Sequence, residues 1–205
     1  MTTVTRWWWV RHAPVINPGG RIYGQSDVAA DLSDSARFDA LRLVLPGGAV
    51  WVTSQLSRCR DTAAAIRGAG SASPPIVEPA LAEQNFGEWQ GKSHAEIGFN
   101  DDHKLWLAPA QFVPPGGESF AQMVVRVAEA VDRLTLAYPG RDIVAVAHGG
   151  TIRAALGHAL ALGPERALAF SVDTLSLTRL DHIARKDGWR DWRIAAINVP
   201  PPAPA

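Results

Sequence analysis

Two histidines in this chain sit where an imidazole can act as a reagent. His12 follows the run Trp7-Trp8-Trp9-Val10-Arg11, and His148 follows Ala145-Val146-Ala147 and precedes Gly149-Gly150. In each case a short apolar run, read as a strand buried on both faces, stops abruptly at charged or turn-forming residues. Ligands of open α/β sheets bind beyond the carboxyl ends of strands. Two further segments fall in comparable places: Ser54-Gln55-Leu56-Ser57-Arg58 after the run Val50–Thr53, and Leu81-Ala82-Glu83. Together they hold two imidazoles, two guanidiniums and one carboxylate. That set suits phosphoryl transfer through a phosphohistidine. A neutral imidazole nitrogen on His12 would attack phosphorus. Arg11, Arg58 and a donating His148 would hold the phosphoryl oxygens, because the protein's task is positioning and charge stabilisation. Glu83 would give the leaving alkoxide its proton, and a neighbouring phosphate dianion favours the protonated carboxyl. A His-Arg pair taken alone is more often a basic cap on a strand; the repeated strand ending raises the chemical reading.

Positioning these groups requires a sheet. The pattern predicts strands at Thr5–Val10, Val50–Thr53, Pro75–Pro79 and Asp142–Ala147. It predicts helices from a cap at Ser33 or Asp34 to about Leu45, over Ser57–Arg67, from Ser119 to Ala137 and over Thr151–Leu162. Short helical pieces are expected near residues 93–97 and 102–107, within an irregular stretch from Leu81 to Ala110. The segments Ala169–Leu180 and Trp189–Ile197 alternate, with Asp187-Gly188 as turn chemistry between them. The expected fold is α/β: a three-layer α/β/α sandwich with a mostly parallel sheet, long helices on both faces and a C-terminal antiparallel hairpin. One domain is expected over residues 1–199, followed by a disordered Pro/Ala tail at 200–205. The long Pro/Gly-rich loop from Ala13 to Asp31 is expected to cover the site.

Composition narrows the function classes. The chain has 205 residues with 20 basic and 20 acidic side chains, so its formal net charge is zero. That disfavours nucleic acid, which calls for a basic face. A single cysteine, Cys59, excludes an intrachain disulfide and a Cys-based zinc site, and it reads as a packed thiol. No apolar run reaches membrane-spanning length, and a cytoplasmic protein is expected. Neither a cofactor nor a metal is expected, and the expected partner is a small-molecule phosphate ester, with no nucleic acid or membrane; a homodimer is admitted.

The motifs also resemble those of the histidine phosphatase superfamily, the phosphoglycerate mutase-like fold. Arg11-His12 matches its Arg-His-Gly signature, and Ser54-x-Leu56-x-Arg58 with Thr62-Ala63 its second-arginine motif. Leu81-x-Glu83 with Phe86-Gly87-x-Trp89-x-Gly91 matches its acid-bearing loop. Pro115-Gly116-Gly117-Glu118-Ser119 and His148-Gly149-Gly150-x-Ile152-Arg153 match the remaining two. Five motifs in the family's order cover nearly the whole chain. The resemblance implies His12 as the phosphorylated nucleophile, Arg11, Arg58 and His148 as the phosphate pocket, and Glu83 as proton donor. It points to the phosphatase branch, hence to a metal-independent phosphomonoesterase acting on a small phosphorylated metabolite. The alternatives are a cofactor-dependent phosphoglycerate mutase and a catalytically weak phosphate-binding regulatory protein.

This chain departs from the family in the first loop. Ala13, Val15 and Pro18 stand where the family has Gly, Thr and Asn, and Ala30-Asp31-Leu32-Ser33 replaces its Pro-Leu-Thr. Gly149 and the loop residues Asn17, Arg21 and Tyr23 are carried as substrate-binding candidates. Glu88 is the rival acid, placed as a loop contact beside Trp89. Glu118 is read as a first-turn helix acid. Arg60, His94, His103, His158 and His182 are read as surface or packing residues.

Overall fold

The computed structural model describes residues 2–17, 19–68, 73–98 and 110–202. Among them, six strands form one sheet: β1 (Thr2–Arg11), β2 (Val50–Thr53), β3 (Ile76–Val77), β4 (Asp142–Ala147), β5 (Leu177–Arg185) and β6 (Arg190–Val199). Their order is β3-β2-β4-β1-β5-β6. Pairs β3/β2, β2/β4 and β4/β1 are parallel, and the C-terminal hairpin β5/β6 joins β1 antiparallel. Helices α1 (Ser35–Val44) and α2 (Ser57–Arg67) cover one face. Helices α3 (Phe120–Ala137), α4 (Gly149–Ala159) and the short α5 (Pro164–Ala167) cover the other. This is the expected mixed α/β sandwich.

The helices follow from their local chemistry. In α3, Phe120, Met123, Val127, Val131 and Leu134 recur at three- and four-residue spacing and are all buried. Each such side chain contributes about 1.5–3 kcal/mol by leaving water. A capping box starts this helix: Ser119 Oγ accepts from the Gln122 amide, and Gln122 Oε1 accepts from the Ser119 amide. Asp34, rather than Ser33, caps α1 by accepting from the Arg37 amide.

In β1, Trp7 and Trp9 share one face, are fully buried and stack with centroids 4.9 Å apart. Trp8 points to the opposite face and is only partly buried, so the strand is not enclosed on both faces along its length. Arg179 from β5 lies over the Trp8 ring at 4.5 Å, and the indole N–H donates to Asp142. Long β5 neighbours, absent from the tryptophans' own sequence, supply that cover.

Three boundaries differ from expectation. Residues 169–176 alternate but are not a strand; β5 begins at Leu177. The Phe170 and Val172 carbonyls accept from Arg153 and Arg11 side chains, and Leu175 takes a left-handed φ of 61°. The β-like pattern is thus overridden by arginines from elsewhere. Helix α4 begins at Gly149 rather than Thr151, because the glycine pair forms its first turn. The third strand shrinks to Ile76–Val77, since Pro79 starts a 3-10 turn. The expected helical piece at 93–97 is a 3-10 turn at Ala95–Ile97; the piece expected near 102–107 lies outside the described residues. Among the described residues no helix is long and apolar enough to cross a membrane.

Candidate active site

The parallel register places Arg11 beside Ala147. The next residues of the two strands, His12 and His148, therefore emerge side by side. The His12 amide donates to the Ala147 carbonyl at 2.9 Å, and the rings meet edge to face with centroids 5.2 Å apart. The chain after β1 leads to α1 on one face, while β4 leads to α4 on the other. Between two such strands a crevice opens, the switch point at which doubly wound sheets bind ligands.

Both imidazoles are sealed from solvent: His12 is 1% exposed and His148 0%. His12 Nδ1 lies 2.7 Å from the Ala13 carbonyl. A carbonyl only accepts, so Nδ1 carries the proton and Nε2 holds the lone pair. Burial pulls the His12 pKa down to about 3; the Ala13 bond opposes this, and the Arg58 and Arg11 charges add to it. The ring is thus neutral across physiological pH, the form a nucleophile needs. Burial, followed by the charges of His12 and the arginines, holds His148 well below its ordinary value as well. Its Nδ1 accepts from Arg58 Nε at 3.3 Å, which leaves the Nε2 proton for Ser54 Oγ at 2.8 Å.

Ala13 explains how the chain tolerates losing the family's glycine. Its φ is not among the positive values, so a Cβ costs nothing there. Its amide donates to Thr62 Oγ1 at 3.0 Å, and that hydroxyl donates to the Arg58 carbonyl at 2.6 Å. Thr62 on α2 therefore ties the His12 loop to the helix that carries Arg58.

The guanidiniums are held by carbonyls rather than carboxylates. Arg58 is 0% exposed and donates to the Gly24 and Ser26 carbonyls at 2.6 and 2.8 Å, with the Tyr23 ring 4.9 Å away. Arg11 Nη1 donates to the Val172 carbonyl at 2.5 Å, while its buried Nε has no acceptor. Among the described residues neither arginine forms a salt bridge. Burying a cation without a counter-charge is costly. Arg58 is fully buried and Arg11 partly so, and two such cations at one crevice suit an anion.

Glu83 stands at the amino end of α4. Its Oε2 accepts from the Gly150 amide at 3.3 Å and its Oε1 from the Gln84 amide at 3.1 Å. A Cβ on Gly150 would lie 2.3 Å from Glu83 Oε1, so glycine is required for the approach. The rival Glu88 is exposed on a 3-10 turn, its Cγ 4.0 Å from where a Gly116 Cβ would be.

Sequence reasoning missed what supports Glu83. Arg126 on α3 donates to the carbonyls of Ala80, Ala82 and Glu83 and makes a two-pronged ion pair with Glu118. Glu118 in turn accepts from the Asn85 amide. Glu118 is thus a brace for the acid-bearing loop rather than a helix-dipole acid. The signal was present, since Glu118 and Arg126 lie in and after a recognised motif, but they stand eight positions apart in the chain, across the first turns of α3. Arg126→Met is expected to lower stability by about 2–3 kcal/mol, because it strands a largely buried carboxylate. Melting temperature checks this, and turnover should fall with it as the Glu83 loop loosens.

The long loop 13–31 is organised, not structureless. Val15 bridges Ala30, and Asp31 N donates to the Pro14 carbonyl. Asp27 accepts from the Ser57 amide at the start of α2, and Gln25 donates to the Glu83 carbonyl. Gly24 (φ 44°) has no room for a Cβ, which would sit 2.8 Å from the Gln84 carbonyl. Of the substrate-binding candidates, Gly149 packs against Arg11 and Tyr23 against Arg58. Asn17 donates to the Arg21 carbonyl, and Arg21 is spent on Glu96 and the Gly91 carbonyl at the surface. The structure does not bring these two to the histidines. Arg60 and His94 are exposed, His158 pairs with Asp132 and His182 meets Trp192 edge to face; His103 lies outside the described residues. Cys59 is buried, which pushes its thiol up to about 12, so it stays protonated.

The two depressed histidines imply a pH-dependent stability. Their folded pKa values lie below the unfolded value of about 6.5, so the unfolded chain binds more protons in between. Their contribution is present above about pH 6.5 and is lost as pH falls toward the folded values, about 3 for His12, at up to about 1.4 kcal/mol per pH unit for each ring. Urea midpoints measured from pH 7 down to 4 should fall, and His12→Asn should flatten the slope.

An α/β sheet with two buried histidines, the buried Arg58 and the partly buried Arg11 at its switch point suits a phosphate-handling class of protein. The model of the histidine phosphatase superfamily (branch 1) matches residues 7–195, and the chain belongs to that family. It is 33% identical over 164 residues to a bifunctional protein of Mycobacterium tuberculosis, covering 79% of this chain and 43% of that one. The chain thus spans less than half the length of that relative. It is 34% identical over 151 residues to a glucosyl-3-phosphoglycerate phosphatase of Mycolicibacterium vanbaalenii, covering 67% of this chain and 66% of the relative. The solved structure of a mycobacterial glucosyl-3-phosphoglycerate phosphatase superposes with a TM-score of 0.81 at 27% identity, covering 96% of this chain and 99% of that one.

Proposed function

We propose that this chain is a metal-independent phosphomonoesterase that hydrolyses a small phosphorylated metabolite through a phosphohistidine on His12. The observation that carries it is the pair of guanidiniums, Arg11 and Arg58, beside a neutral, buried His12 and in no salt bridge with a carboxylate among the described residues. His12 Nε2 attacks phosphorus, and the bond to the ester oxygen breaks. Glu83 gives its proton to the departing alkoxide. The Ala13 carbonyl holds Nδ1–H and stabilises the positive charge of the phosphorylated ring. Arg11, Arg58 and the Gly149 amide at the start of α4 hold the phosphoryl oxygens, and His148, engaged by Ser54 and Arg58, fixes the Arg58 side chain beside them. Water then attacks the P–N bond, Glu83 takes its proton, and phosphate leaves with His12 restored.

The relatives named for glucosyl-3-phosphoglycerate support a small sugar- or glycerate-linked phosphate ester as substrate. Mixing the protein with labelled aryl phosphate in EDTA, then quenching, tests the mechanism. The expected result is phosphate release and an acid-labile, alkali-stable label that maps to His12. No release from any ester, or a label on another residue, overturns it. Isomerisation of phosphoglycerate without phosphate release would make the chain a mutase instead.

A further inference from the structure

We propose that Arg153 selects the alcohol half of the substrate by gripping a carboxylate on the leaving group. This rests on the phosphatase reading, since it names the substrate class of the same site. Arg153 lies one turn into α4, after the two glycines that pack on Arg11 and Glu83. A Cβ on Gly149 would lie 3.6 Å from both Arg11 Cζ and Arg153 Nη1, so the two guanidiniums flank that glycine. A cleft of about 150 Å³ opens beside them, lined by Glu83, Gln84, Phe86, Phe120, Arg153 and Leu168, among others.

The geometry gives that cleft its role. Glu83 is the proton donor, so the ester oxygen must sit against it, and the carbon skeleton on that oxygen must continue away from phosphorus. The cleft that Glu83 itself lines is the space for it. Phe86, Phe120 and Leu168 make its walls apolar. Arg153 spends Nε on the Phe170 carbonyl at 2.7 Å, while Nη1 and Nη2 have no acceptor among the described residues. Holding Nε leaves the outer edge of a planar fork, which matches a carboxylate bidentately. Burial holds this guanidinium below its usual pKa, Glu83 opposes that, and nearby Arg11 adds to it. An incoming anion relieves the repulsion between the two arginines. One cation in a small, mostly apolar cleft suits a monoanion, hence a carboxylate.

Matched esters test this. 3-Phosphoglycerate and glycerol phosphate share a skeleton and differ in carboxylate against hydroxymethyl. The wild type is expected to favour the carboxylate ester in kcat/KM by about ten- to hundred-fold. In Arg153→Met that ratio should collapse toward unity, and Arg153→Lys should restore part of it. Should Arg153→Met fail to fold, the wild-type ratio decides, together with competition by glycerate but not glycerol. A wild type that releases phosphate through His12 yet shows no preference overturns this proposal and leaves the phosphatase reading standing. Equal loss on both esters in Arg153→Met also overturns it, since Arg153 would then serve the phosphate or the fold. A wild type that hydrolyses no ester, aryl phosphate included, overturns both.

Discussion

Replacing His12 with alanine is expected to abolish phosphate release, with turnover falling on the order of 10⁴–10⁶-fold. The size follows from the proposed role: without Nε2 the proposed covalent intermediate would not form, and direct attack by water would face the whole barrier. What survives is the anion site, because Arg11 and Arg58 are anchored to the Val172, Gly24 and Ser26 carbonyls and not to His12. The variant should therefore still bind inorganic phosphate while losing both turnover and the trapped label. Steady-state kinetics, phosphate titration and labelling check the three parts. Activity equal to wild type would move the nucleophile elsewhere.

Glu83→Gln is expected to separate the acid from the rest of the site. Glutamine keeps the size and the acceptor oxygen that meets the Gly150 amide, but it cannot give a proton. General acid catalysis is worth on the order of 10²–10⁴ in rate, and most where the leaving group is a poor one. The loss should thus be near its maximum for an alkyl phosphate and small for an activated aryl phosphate, whose phenolate leaves unaided. The trapped phosphohistidine should still decay slowly, because in the proposed mechanism the same carboxylate serves as base in the second step. Uniform loss across leaving groups would instead assign Glu83 to binding. Glu88, exposed on its 3-10 turn, provides the contrasting substitution, and Glu88→Gln should leave the leaving-group dependence unchanged.

Much of the site was legible in the chain because strand ends write themselves plainly. A run such as Trp7–Val10 or Ile143–Ala147 that stops at a histidine marks a carboxyl edge, and Arg58 and Glu83 follow other such stops. The alternation of Ala169–Leu180 misled over residues 169–176, although β5 does begin at Leu177, and for the opposite reason. Local pattern reports β propensity, yet Arg11 and Arg153 recruit the Phe170 and Val172 carbonyls before any strand can. The partial exposure of Trp8 was hidden in the same way, since its cover comes from Arg179 across β5.

The sequence by itself determined the alternating architecture, the identity of the reactive groups and their placement at strand ends. Those properties depend on neighbours within a few residues and on the period of the apolar pattern. Only the tertiary structure decided that His12 and His148 lie side by side, since that follows from the β1/β4 register across more than 130 residues of chain. It also decided that, among the described residues, Arg11 and Arg58 form no salt bridge, that Arg126 and Glu118 brace the Glu83 loop, and that Arg153 leaves Nη1 and Nη2 without an acceptor among those residues beside a cleft. Charge balance and hydrogen-bond satisfaction are sums over every group within a few ångströms, and chain order does not record which groups those are.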